Sequence, residues 1–134
     1  MIDIESALFT KVAIAVRLEY PEAYVSDEYV SQPPRFPAVS IVEQDNSVLF
    51  QGRDSGNIEN YADVMYQVDV YSNRNTGKKA ECKAMIAFID EQFTNLGFTR
   101  TFLNPVQNMN NTTIYRMTAR YVAVVSKDQY IHRR

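Results

Sequence analysis

The sequence predicts an α+β domain, with two helices packed on one face of a largely antiparallel or mixed β-sheet. Three stretches carry that expectation. Residues 61–71 put Ala62, Val64, Tyr66, Val68 and Val70 at every second position, the spacing of a strand with one buried face. Residues 77–96 put Cys82, Met85, Ile86, Ile89, Phe93 and Leu96 three and four apart, which is a helical stripe. Gly97 follows, where a helix end favours glycine. Residues 112–125 alternate again: Tyr115, Met117, Ala119, Tyr121, Ala123 and Val125 against Ile114, Arg116, Thr118, Arg120 and Val122.

The other elements follow from the N-terminus. Residues 3–18 read as a helix with Ile4, Ala7, Leu8, Val12, Ala15 and Leu18 on one face, although Lys11 falls inside it. Four of the five prolines lie between Pro21 and Pro37, and they exclude a helix interior or a central strand, so residues 20–37 form a connecting loop. Its Tyr20, Tyr24, Val25, Tyr29, Val30 and Phe36 imply that it packs down, on its own domain or on a neighbour. Residues 38–43 suit a strand and 48–51 its hairpin partner, around an Asp45-Asn46-Ser47 turn. Residues 52–60, with two of the four glycines, read as an exposed mobile loop. A short strand over 98–103, a polar loop through Asn111 and a flexible, basic-ended tail over 126–134 complete the chain.

A chain of 134 residues fits one domain, 1–134, around one core. Fourteen basic and sixteen acidic residues leave a net charge of −2, hence no broad positive field for tight binding of nucleic acid or an anionic membrane. The single cysteine excludes an internal disulfide. No apolar run approaches the ~20 residues that span a bilayer. Met1-Ile2-Asp3-Ile4-Glu5 lacks the basic start and apolar centre of a secretory signal. The Asn-x-Thr triplets at Asn110 and Asn111 would matter only in a secreted eukaryotic protein.

The chemistry-bearing motifs fail on spacing. Residues 72–81, SNRNTGKKAE, open a helix after a strand and contain Gly77-Lys78. A phosphate-binding loop also needs a glycine at position 72 and a hydroxyl at position 79, where Ser72 and Lys79 stand. Glu81 and Lys83 have the spacing of a nuclease motif, but residues two apart on a helix point in different directions. Cys82 lacks a neighbouring base, since the only histidine is His132 in the tail. One Cys and one His cannot make a zinc site, and Asp54, Glu59 and Asp63 form no recognisable cation loop. The expectation is therefore no enzyme, no catalytic or metal-binding residues and no cofactor. The unusual feature is charge on the strands: Asp63 and Asp69 share a parity that can face Arg116 and Arg120. With Tyr61 and Tyr71 interspersed, these six residues are the candidate subunit interface.

The run YQVDVYSN…GKKAECKAMIAFID…LGFTR…P…N…TIYRMTARYVAVV resembles small phage and prophage proteins of Gram-positive hosts, the tail-terminator, tail-completion or minor capsid proteins. The resemblance covers residues 36–125. It implies a compact α+β protomer that forms a ring, usually six-fold, on the head-proximal end of a long non-contractile tail. There the ring would end tube polymerisation and meet the head–tail connector. Its partners would be further copies of itself, the tail-tube protein and connector proteins, within a virion assembled in the bacterial cytoplasm. A head-completion or adaptor protein of the same phage is the nearest alternative, and a small phage enzyme such as a nuclease a remote one.

Overall fold

The computed structural model describes residues 1–49, 60–107 and 112–132. Residues 52–59 of the expected mobile loop, Asp54, Glu59, Asn110, Asn111 and the last two arginines lie outside the described residues. Among the described residues two helices, α1 (Glu5–Glu19) and α2 (Lys78–Asn95), accompany six strands. These are β1 (Tyr24–Ser26), β2 (Ala38–Val48), β3 (Tyr61–Ser72), β4 (Thr99–Pro105), β5 (Tyr115–Ser126) and β6 (Ile131–His132). The sheet order is β1-β2-β3-β5-β4, with β6 beside the far end of β5. Only β1 and β2 run parallel; the other pairings are antiparallel.

Strand parity decides what lies under the helices. The even residues of β3, from Ala62 to Val70, and the odd residues of β5, from Met117 to Val125, are all buried in one cluster with both helices. Phe93 is its centre: it stacks on Tyr121 at 4.4 Å between ring centroids and meets Phe98 edge-on at 5.2 Å. Burying a Phe in such a site stabilises by about 3 kcal/mol. The α2 stripe expected from the sequence is the buried one, from Cys82 to Phe93, with Leu96 partly buried at its end. Gly97 leaves the helix at φ +103°.

Four expectations change. The α1 face is rotated: Leu8, Val12, Ala13 and Val16 are buried, whereas Ala7 and Lys11 are exposed and Leu18 is 79% exposed. A row repeating every fourth residue, from Ile4 to Val16, meets the core and carries Lys11 out to water, which avoids burying an unpaired ammonium group.

The turn expected at residues 45–47 is strand. A bulge between Glu43 and Asp45 resets the register, so that Asp45 pairs with Met65 and Asn46 with Val64. Asn46 Nδ2 donates to Ile2 O at 2.7 Å, which ties the N-terminal segment to β2. The loop over 20–37 contains β1, whose Tyr24 N–H donates to Pro37 O at 3.0 Å. The expected tail turns back at Gln129, φ +68°, and Ile131 and His132 pair with β5.

Candidate functional site

The second face of the sheet, opposite the helices, carries all six residues of the expected interface. β3 and β5 pair with Tyr71 opposite Arg116, Asp69 opposite Thr118, Gln67 opposite Arg120 and Asp63 opposite Val124. Directly opposed residues share a face, so Asp63, Asp69, Arg116 and Arg120 do lie together there.

They divide into two halves. Residues 24–36 lie over the half near Asp69. Ser40 Oγ donates to Glu28 O at 3.0 Å, and Tyr24 and Phe36 pack on Ala38, Tyr71 and Ile114. The Arg116 guanidinium lies 5.2 Å from the centroid of the Tyr29 ring. Under this cover Asp69 is 1% and Tyr71 0% exposed. Both are therefore closed to a second subunit, and the expectation that they form part of an interface is corrected: their partners are internal. Arg116 Nε donates to Asp69 Oδ1 at 2.9 Å, Gln67 Nε2 to Asp69 Oδ2 at 3.1 Å, and Thr118 Oγ1 to Asp69 Oδ1. Burial would lower the Arg116 pKa, but the Asp69 hydrogen bond and charge outweigh it and the net shift is upward. Burial and the Asp69 charge push the Tyr71 phenol upward, and its hydroxyl has no partner among the described residues.

The other half is uncovered among the described residues. Arg120 is exposed, donates to Gln67 Oε1 at 3.1 Å and lies 4.8 Å from the Phe102 ring centroid. Asp63, Met65, Val122 and Val124 are half-buried, and Asp45 is exposed beside them. Asp45, Asp63, Met65, Thr101 and Val122 line an open depression of about 300 Å³. Tyr61, at the start of β3, is 41% exposed and meets the His132 ring edge-on at 6.1 Å.

The groups considered for chemistry are engaged elsewhere. Glu81 accepts from Ser72 Oγ at 2.6 Å and from Arg74 at 3.4 Å, which ties the first turn of α2 to the end of β3. Lys78 Nζ donates to Thr113 O at 3.0 Å. Cys82 is 0% exposed, with Sγ 3.6 Å from Tyr115 O; burial, then the Glu81 charge, pushes its thiol up to about 12. His132 Nε2 lies 3.4 Å from Ser126 Oγ.

No residue pattern pointed to the carboxylates of Asp3, Glu5 and Glu43, which gather within 4.8 Å of one another. Burial, then the Glu5 charge, raises the Glu43 pKa, against the lowering effect of its hydrogen bond from Tyr66 at 3.2 Å. Asp3 Oδ1 meanwhile accepts from the Glu5 N–H at 3.0 Å. Three carboxylates can hold a hard cation, but each already has a place in the fold: Asp3 and Glu5 start α1, and Glu43 braces Tyr66 and Asn46. Glu43 lies 38 positions after Glu5 and 40 after Asp3, so no spacing rule joins them. Neither a protein-family model nor a curated protein sequence matches this chain.

Proposed function

We propose that this chain is a structural protein of a tailed bacteriophage, a terminator that closes as a six-membered ring on the head-proximal end of a long non-contractile tail. It would end tube growth there and present a surface to the head–tail connector. One observation supports an assembly role beyond the resemblance of residues 36–125: two separate apolar surfaces have no internal partner among the described residues. One is the outer side of α1, where Ile14 is 53% and Leu18 79% exposed; the other is the uncovered half of the sheet. Ile14 and Leu18 are one helical turn apart, and exposed apolar side chains that gather mark contact sites; a ring protomer needs two such sites. A net charge of −2 suits a channel that DNA must pass through without being held by phosphate contacts.

Electron microscopy and crosslinking of concentrated protein, with and without tail tubes, test the proposal. Closed oligomers, hexamers above all, are expected. A protein that stays monomeric at tube ends, or that holds duplex DNA at physiological salt, is not a terminator.

A further inference from the structure

We propose that copies of this chain join head to tail, the outer side of α1 of one copy docking on the uncovered half of the sheet of the next. The inference rests on the assembly role above and adds the two surfaces that would meet. At about 100° per residue, Lys11 and Leu18 fall on one side of Ile14 and Arg17 on the other, all within one exposed arc of α1. Among the described residues neither Lys11 nor Arg17 has an ion-pair partner. The arc is thus an apolar pair bordered by two cations.

The uncovered sheet half has the complementary composition. Met65 and Val122 line the depression together with Asp45, Asp63 and Thr101. Asp45 has no cationic partner among the described residues; its carboxylate accepts only from Ser47 Oγ, at 3.0 Å. Apolar side chains would meet apolar side chains, with a cation of α1 brought to the Asp45 carboxylate. Such charge complementarity fixes register and selects the partner.

The placement of the two surfaces selects a second copy as the occupant. They lie on opposite sides of the sheet, so α1 cannot reach the depression of its own chain. Every copy offers both halves of the contact. A contact between two different patches is heterologous; repeated with a rotation, it closes a ring.

Three proteins test this by mass measurement in concentrated solution: the wild type, Leu18→Asp, and Asp45→Arg with Met65→Lys. The first variant removes the arc, the second reverses the depression, and circular dichroism checks their folding. Asp45→Arg alone, at an exposed side chain, stands in if the double variant does not fold. Each variant alone should lose at least about tenfold in self-association. Mixed, they should form a one-to-one dimer that grows no further, because one intact arc and one intact depression remain. If the wild type forms rings and both variants still do, the docking is overturned and the assembly role stands. If the variants form rings but Leu18→Asp no longer binds tail tubes, the arc belongs to the tube protein and self-docking is likewise overturned. A wild type that never associates, even at tube ends, overturns the assembly role and the docking together.

Discussion

Asp69 and Arg116 show how much a single pair can depend on its cover. The Asp69 carboxylate is 1% and the Arg116 side chain 12% exposed, and Arg116 supplies the cation closest to it, at 2.9 Å. Replacing one partner of a buried pair strands the other, which costs about 3 kcal/mol, whereas replacing both is far milder. Arg116→Met should therefore lower the unfolding free energy in urea by about 3 kcal/mol, and adding Asp69→Asn should restore most of the loss. Equal losses in the single and double variants would assign the cost to packing of the Arg116 stem instead. Alternation alone placed these two residues on one face, because strand parity is fixed by the backbone. It did not reveal their burial, or that of Tyr71. The cover comes from residues 24–36, whose path is set by prolines and a short parallel strand rather than by a repeating pattern. The shielding of Cys82, by contrast, follows directly from its place in the α2 stripe.

Elements long enough to repeat their pattern were legible as elements. β3, α2 and β5 span 12, 18 and 12 residues, and each shows the buried face its periodicity implies. α1 was legible as a helix but not in its rotation, because Ala7, Ile14 and Leu18 put apolar residues on its outer side as well as its inner one. In β2 the local turn chemistry of Asp45-Asn46-Ser47 lost to pairing with a full-length β3 across a bulge. The end of α2 was legible too, and it can be tested. Gly97 sits at φ +103°, and a Cβ there would stand 3.1 Å from Ile131 Cγ2. Gly97→Ala thus meets a backbone penalty of about 1–2 kcal/mol and a contact with β6. Thermal melting should show a clear loss of stability. Ile131→Ala in the same chain should return only the steric share of the additional loss. If Gly97→Ala melts with the wild type, the left-handed exit from α2 is not what stops the helix.

At the scale of the whole molecule, the sheet has one face closed by helices, and among the described residues the other is closed over only half its length. The open half and the outer side of α1 each keep apolar side chains accessible, and a partner that binds only the native state stabilises it by mass action. When that partner is another copy, stability depends on protein concentration. For a contact with Kd on the order of 1 µM, working at about 100 times Kd adds about 2.7 kcal/mol. In a chain of this size that corresponds to roughly 8 °C in Tm. Melting of the wild type from about 1 to 100 µM, a range set by that Kd, should therefore show a rising midpoint. Leu18→Asp, which places a carboxylate on the arc without touching the core, should show a clearly smaller rise over the same range. A midpoint that rises equally in both proteins would locate self-association elsewhere on the surface. A wild-type midpoint that does not move means that native copies do not bind one another in this range, and ring formation would then need the tail tube as its template.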